Sequence, residues 1–467
     1  MTQPKRRRRS RSDSGASRRD TAFAAPSSSG ASGRSRGLPW RTRVLLVVAP
    51  AVLYLAHLMF GANQTGAAQW LTVVLALLLV GALAVPRLRI GLFDLKPVWS
   101  LVLLFGLTLG VAVLSLTSLT PGGPNPIWGW AGLPGASTIN RTATLLEIFK
   151  LLGLACIFGV GCLTAARGDR ARGVVEIVLG LGAVYAVISL LTFVSDAQVA
   201  GGGRLTGGFL TANSAATVFG VLAVIGAADL LQRWRRAEAR DLAGQLTQTA
   251  APIACLLLFV VCLMLTASRM GVFSTLVAAG VLLAWDATES KGRRLPALAT
   301  ASVVALVALT LLANGNDHLF QRLDTLDQDL VSRGELFAAH WDAFLRSPLF
   351  GWGLGTFSDI NSYIMTAETY DALWRVRATH NVYIQWLEEA GVVGAAPMFA
   401  LIAVIIGVSF WRSFKLRSGK GLMRGLVAAN LVVLIHGTSD FALQTPSIAA
   451  FWAFLLGVQF AFGQSRA

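Results

Sequence analysis

Charge is scarce in this chain. Only 14% of its 467 residues are Asp, Glu, Lys or Arg, where a soluble domain carries about a quarter. That shortage excludes an ordinary water-soluble globule. Acids are the scarcer sign, 24 against 40 basic residues, which leaves a formal net charge of +16. Cysteine is rare as well, and Cys156, Cys162, Cys255 and Cys262 all fall inside apolar runs. Within each sequence-adjacent pair the thiols would lie about 9–10 Å apart along a helix, too far for an intrahelical disulfide. They read as small apolar packing residues and carry no information on redox compartment.

Hydrophobic length is abundant, with 54% of the residues apolar. Runs such as "RVLLVVAPAVLYLAHLMF", "WLTVVLALLLVGALAVP", "VWSLVLLFGLTLGVAVLSL" and "PIACLLLFVVCLMLT" approach the ~20 residues that cross a bilayer as a helix. Lipid offers the backbone no hydrogen-bond partner, so repeated runs of this kind mean a helical bundle. The predicted fold is all-α, a polytopic transmembrane bundle. Twelve candidate spans fall at 43–60, 68–86, 97–119, 142–164, 173–194, 209–231, 249–266, 270–286, 296–313, 392–411, 421–437 and 445–463.

Residues 1–42 are rich in Arg, Ser, Gly and Ala and nearly free of large apolar side chains. Such a segment cannot bury enough surface to fold and is expected to be a disordered tail. With Arg43 it holds 12 of the 40 basic residues. No cleavage site follows a short apolar core, so it does not read as a secretory leader. Its "KRRRR" suits either a solvated cytoplasmic tail or contact with anionic headgroups. The rest of the chain is membrane, so nucleic acid is not an expected partner.

Placing the N-terminus inside and alternating the spans puts 18 Lys and Arg in the inner short loops. The outer short loops then hold only Arg141, Arg204 and Arg269. The positive-inside rule counts loops of this length, so both termini are expected in the cytoplasm. One outer segment, 314–379, is long and charged, and long structureless loops are uncommon. It reads as a small helical cap: "RGELFAAHWDAFLRSPL" spaces Leu336, Phe337, Trp341, Phe344 and Leu345 as an amphipathic helix does, and "LFGWGLGTF" makes a Gly-rich turn. The chain therefore divides into a tail (1–42), spans one to nine (43–313), the cap (314–379) and spans ten to twelve with a re-entrant start (380–467).

Few residues at the outer end can carry chemistry, which makes each informative. "HNVYIQWLEEAGVVG" follows the cap, so His380 sits where the chain re-enters the membrane. From His380 to the end of span ten is too long for one straight crossing, and a break near Gly391 and Gly394 is expected. Arg204 lies in "GGGRLTGGFLTANSA" and Arg269 in "LTASRMGVF", a connector too short to leave the membrane surface. Arg333 opens the amphipathic cap helix. An arginine at membrane depth is costly unless paired, and its fork grips phosphate in a bidentate manner. Helix capping or snorkelling to headgroups explains any one of them; the set beside His380 suggests a lipid-linked phosphate or diphosphate. Four other features have plainer readings. Asp324, Asp327 and Asp329 suit a solvated helix face better than a cation site. Glu147 and Lys150 suit mutual neutralisation. His436 and Asp440 ("HGTSD") are candidates for the same outer pocket. "GWGLG" lacks the preceding strand that a nucleotide loop needs.

In these segments the chain resembles the O-antigen ligase and O-antigen polymerase superfamily of bacterial envelopes. "HNVYIQWLEEAGVVG" carries the resemblance. "RGELFAAHWDAFLRSPLFGWGLGTF", "GRLTGGFLTANSA" and the "SR" after span seven support it. It covers the second half of the chain, about 200–412. It implies a metal-independent glycosyltransferase of the bacterial inner membrane, without cofactor, working at the periplasmic face. The implied partners are a glycan on undecaprenyl diphosphate and an acceptor glycan or lipid A-core. Carried over, Arg269 and Arg333 look like the arginines that hold the diphosphate, with Arg204 assisting. His380 looks like the histidine that activates the acceptor hydroxyl, with Asn381, Tyr383 and Glu389 in support. A transporter or flippase for lipid-linked sugars is the alternative. It would place polar groups at mid-membrane in two related halves, whereas here they gather at one end.

Overall fold

The computed structural model describes residues 40–89, 95–198, 200, 202–236, 242–289 and 326–464. Among them the regular structure is all helical. The main helices are α1 (Trp40–Leu58), α2 (Thr65–Leu83), α3 (Val98–Ser115), α4 (Arg141–Ala165), α5 (Gly168–Val194), α6 (Ala212–Arg236) and α7 (Leu242–Leu265). There follow α8 (Arg269–Glu289), α9 (Leu326–Arg346), α10 (Phe357–Ile364), α11 (Val382–Ser413), α12 (Lys420–His436) and α13 (Pro446–Phe462).

Nine of these described helices, α1 to α8 and α11, are long and apolar enough to cross a membrane. α12 and α13 are shorter, 17 residues each. Both are largely buried among other helices, so neither depends on its own length to meet lipid. The expected count of twelve is therefore approximate. The expected ninth span, 296–313, lies outside the described residues, as do the tail up to residue 39, Asp324 and the side chains of Asp327 and Asp329.

α6 sits at the centre of the bundle, with its apolar window wholly buried. Its sequence explains this, because "ANSAATVFGVLAVIGAADL" is built mostly of small residues that let neighbouring backbones approach. A Cβ on Gly425 of α12 would stand 2.3 Å from Ala228 Cβ of α6. The same device joins α4 to α13, where Cβ atoms on Gly161 and Gly457 would meet Phe454 O at 2.4 Å and Phe158 O at 2.2 Å.

The loops sort by chemistry to the two ends. At one end, Arg233 pairs with Asp229 and Glu176, both at 2.8 Å. Asp286 there takes Arg235, and Arg424 at 3.8 Å. At the other end the loops before α6, before α8 and after α12 meet α9 and the start of α11. The chain leaves α8 at the basic end and is at the opposite end by Arg333. Exposed tryptophans mark both levels, Trp40, Trp99 and Trp411 at the basic end, Trp70, Trp130 and Trp341 at the other, as interfacial aromatics do.

α11 is interrupted once, at Gly391 (φ 61°, ψ 179°), a conformation essentially reserved for glycine; Gly394 stays helical. The break frees backbone groups, and the loop after α9 takes them up. Trp352 N donates to Glu388 O at 3.0 Å and Gly353 N to Glu389 O at 2.8 Å. Val392 N and Val393 N donate to Pro348 O at 2.8 Å and Leu349 O at 3.0 Å. A Cβ at Gly391 would lie 2.2 Å from Leu349 O. Gly391→Ala should therefore cost strain on the order of 1–3 kcal/mol and also push the cap off α11. The readout is the yield of monodisperse protein and its melting temperature in detergent. Gly110→Ala on α3, where nothing lies within 4 Å, should leave both unchanged.

Candidate functional site

The site is assembled from five segments at the less basic end: the stretch entering α6, the α7–α8 turn, α9, the start of α11 and the α12–α13 loop. The segment before α6 contributes Arg204, whose Nε donates to Thr266 O at 2.8 Å and whose Nη2 donates to Asn213 Oδ1 at 3.0 Å. Two left-handed glycines let this segment run against its neighbours. A Cβ on Gly207 would meet Tyr185 Oη at 2.5 Å, and one on Gly208 would meet Leu58 Cα at 2.7 Å. Tyr185 Oη in turn donates to Gly207 O at 2.7 Å. The Thr266 carbonyl that anchors Arg204 belongs to the α7–α8 turn, three residues before the half-buried Arg269 that opens α8.

Asn213, in the first turn of α6, links this edge to the α12–α13 loop. Its Nδ2 donates to Asp440 Oδ2 at 2.6 Å. Asp440 is fully buried, and its Oδ1 has no hydrogen-bond partner among the described residues. Arg333 reaches the same loop from α9, donating through Nη1 to Ser439 O at 3.1 Å. His436, one turn earlier, bonds Thr217 Oγ1 of α6 through Nδ1 at 2.8 Å.

His380 completes the cluster from the start of α11. Its ring meets Phe441 edge-on, centroids 4.8 Å apart, and its Nδ1 is buried without a described partner. The backbone there is strained, with φ +53° on a non-glycine residue, conformational stress of the kind that clusters at functional sites. The flanking residues hold it. Thr379 Oγ1 donates to Asn381 O at 2.7 Å, and Asn381 Oδ1 caps α11 by accepting from Tyr383 N at 3.0 Å and Ile384 N at 3.2 Å. Burial lowers the imidazole pKa below its ordinary value; Asp440 opposes that shift and Arg333 reinforces it. The net direction is downward, so the ring is neutral near pH 7 and can accept a proton.

The structure thus gathers Arg204, Arg333 and His380 around the Asn213–Asp440 bridge, with Arg269 at the turn that anchors Arg204. Asn381 acts as a cap. Tyr383 donates to Leu434 O of α12 at 2.8 Å. Glu389 lies deeper along α11. It accepts from Gly355 N at 2.7 Å and Gln385 Nε2 at 3.0 Å, and so ties the cap loop to the helix. Glu147 and Lys150 form an ion pair at 2.7 Å.

Below the cluster lies an apolar cavity of about 1230 Å³ between α2, α3 and α4 on one side and α11, α12 and α13 on the other. Tyr383, Leu443 and Gln444 line its end nearest His380, and Trp285 and Phe410 its basic end. Besides Tyr383 and Gln444, the ion pair Glu147–Lys150 and Asn430 bring polar side chains to its mostly apolar lining. Its walls suit a long hydrocarbon chain.

Residue-by-residue reading of the sequence missed two residues. Asn213 is a polar residue in an otherwise small-residue helix start, and it is the partner of Asp440, which "HGTSD" had signalled. His340 is the second: it joins Glu388 at 2.7 Å and Asn361 at 3.2 Å, fully buried between the cap and α11.

A family described as O-antigen ligase matches residues 254–399. The match runs from α7 through α8 and the cap to the middle of α11, and includes Arg269, Arg333, His380, Asn381, Tyr383 and Glu389. No curated protein matches the chain.

Proposed function

We propose, from an O-antigen ligase domain over residues 254–399 in a multi-pass membrane protein, that the chain transfers a glycan from undecaprenyl diphosphate to an acceptor hydroxyl. The reaction takes place at the periplasmic face of the inner membrane. The observation that supports it is the meeting of Arg204, Arg333 and His380 around one buried carboxylate, above a cavity fit for a prenyl chain. His380 takes the proton of the acceptor hydroxyl. The hydroxyl oxygen bonds to the anomeric carbon as the bond to the diphosphate breaks, and its electron pair leaves with the diphosphate. Arg204, Arg269 and Arg333 stabilise that growing charge in place of a metal. Asn381, Tyr383 and Glu389 hold the start of α11 and the cap in position. The loop charges favour both termini in the cytoplasm.

The test is transfer in proteoliposomes, with a lipid-linked oligosaccharide donor and the lipid A-core or a second repeat unit as acceptor. Arg333→Gln is expected to lower kcat/KM by about 10²–10³. Arg333→Lys should recover only part, because an ammonium lacks the fork. Chelators should leave the rate unchanged. Unaltered transfer by Arg333→Gln, or loss on chelation, contradicts the reading.

The pH profile follows from the direction of the His380 shift. The free base is the active form, so kcat/KM falls as the solution is acidified. Its midpoint lies below the ordinary imidazole value of about 6.5. Asp440→Asn removes the group that raises the pKa and should move the acid limb to lower pH; Arg333→Gln should move it up. A second reading, a flippase for lipid-linked sugars, draws on the length of the cavity. It predicts translocation across vesicles that survives loss of His380.

A further inference from the structure

The cap carries an exposed aromatic pair that the chemistry above does not use. Tyr370 and Trp374 stack with ring centroids 5.6 Å apart and an interplanar angle of 10°, and they are 46% and 49% exposed. The Arg375 guanidinium lies 4.9 Å from the Trp374 ring centre. The platform is firmly footed. Leu373 between the two rings is fully buried in the cap core. Its carbonyl accepts from Asn361 Nδ2 at 2.9 Å, and Asn361 Oδ1 faces His340, which joins Glu388 of α11. Two rigid rings kept in solvent, with a buried anchor between them, are a surface held open for contact.

The surroundings decide what kind of contact. Another set of exposed apolar residues on the cap, Trp341, Leu345 and Leu349, runs into the exposed Val392 and Val393 of span α11, to whose amides the 348–349 carbonyls are bonded. That stripe is continuous with a lipid-facing surface. The Tyr370–Trp374 pair has a different surround: along the chain it is flanked by the exposed Glu368, Asp371, Arg375 and Arg377, a charged rim that belongs in water. Flat aromatic faces ringed by hydrogen-bonding charges suit a ligand with apolar C–H faces and hydroxyl edges, which is a pyranose. The reach is right as well, since His380 is six positions beyond Trp374, a span of at most about 20 Å, or a few sugar units.

We propose that Tyr370 and Trp374, with Arg375 at their edge, form a glycan-binding platform that holds the sugar chain entering or leaving the His380 site. The proposal rests on the glycosyl-transfer reading for its ligand class. The sugar belongs either to the donor's oligosaccharide or to the acceptor's.

The experiment uses the full-length protein in nanodiscs. Two probes are titrated by saturation-transfer NMR and calorimetry. One is the oligosaccharide released from undecaprenyl diphosphate by mild acid; the other is the core oligosaccharide released from lipid A. Trp374→Ala should weaken binding of one of them about 10-fold, an effect of the size aromatic stacking gives, and Trp374→Phe should restore most of it. The probe that responds identifies the source. In transfer assays Trp374→Ala should raise KM for that substrate and leave kcat within 2-fold, a split that general damage to the fold does not produce. A nitroxide at position 374 should be reached by water-borne relaxants and not by lipid-dissolved oxygen. The proposal is overturned if Trp374→Ala leaves both affinities within 2-fold, or if the nitroxide reports lipid. Platform binding in a wild-type protein that transfers no glycan would instead overturn the enzyme reading and leave the platform standing.

Discussion

His380→Gly is expected to abolish glycan transfer to within the background while the protein inserts, purifies and melts as the wild type does. Loss of a positioned general base costs about 10²–10⁴ in rate. Glycine is the informative replacement because position 380 has φ +53°, which glycine adopts without strain. The turn is also held from both sides by Thr379 and the Asn381 cap, so the backbone survives loss of the ring. His380→Ala removes the same imidazole but keeps the strain. Equal loss of rate in both variants, with only glycine matching or exceeding wild-type stability, would separate chemistry from folding. Folding also carries a linkage in this ring. A histidine whose folded pKa is depressed binds fewer protons folded than unfolded. Its contribution is therefore complete above about pH 6.5 and declines as pH falls below that. His380→Gly removes this decline.

His340→Ala should destabilise the protein on the order of 3–5 kcal/mol, the cost of removing one partner of a buried His–carboxyl pair. His340 Nδ1 lies 2.7 Å from Glu388 Oε1, and its Nε2 lies 3.2 Å from Asn361 Oδ1. The Asn361 amide is oriented by its bond to Leu373 O, so both imidazole nitrogens face oxygens that accept. A neutral ring beside a carboxylate would leave one of those contacts without a proton. The pair therefore carries an imidazolium with a carboxylate, or an imidazole with a carboxylic acid. Removing the ring leaves Glu388 buried, with its Oε2 already lacking a partner. The cap should loosen first, seen as new protease cleavage between residues 326 and 376 and a lower melting temperature. The apolar double variant His340→Leu/Glu388→Leu should recover much of the loss. A single variant as stable as wild type contradicts this account of how the cap is held.

Spans and candidate site differed in how far the sequence could show them, for physical reasons. Apolar runs near 20 residues announce membrane helices because lipid imposes length and composition together. α1 to α8 were legible on that ground. α12 and α13 fall short because burial inside the bundle relaxes the length requirement. Arg204 and Arg269 stood out because basic residues are rare in the loops at that end. Asn381 was named only in support of His380; its part as the cap of α11 shows in the bonds it accepts from Tyr383 N and Ile384 N. Asn213–Asp440 and His340–Glu388 were not legible, because each joins polar residues far apart in the chain and neither alone has a pattern. The break at Gly391 could be expected from the excess length of α11. Its repair by the 348–353 loop could not, because that depends on tertiary backbone pairing.

The account turns on whether the Arg–His end of the bundle grips a prenyl diphosphate. The direct measurement is the affinity of purified protein for undecaprenyl diphosphate, with undecaprenol as the control for the chain alone. Tight binding of the diphosphate, at least 10-fold weaker in both Arg204→Gln and Arg333→Gln while undecaprenol binding is unchanged, is the result expected from phosphate–guanidinium pairing. Equal binding of diphosphate and alcohol, or affinity indifferent to both arginines, would contradict it.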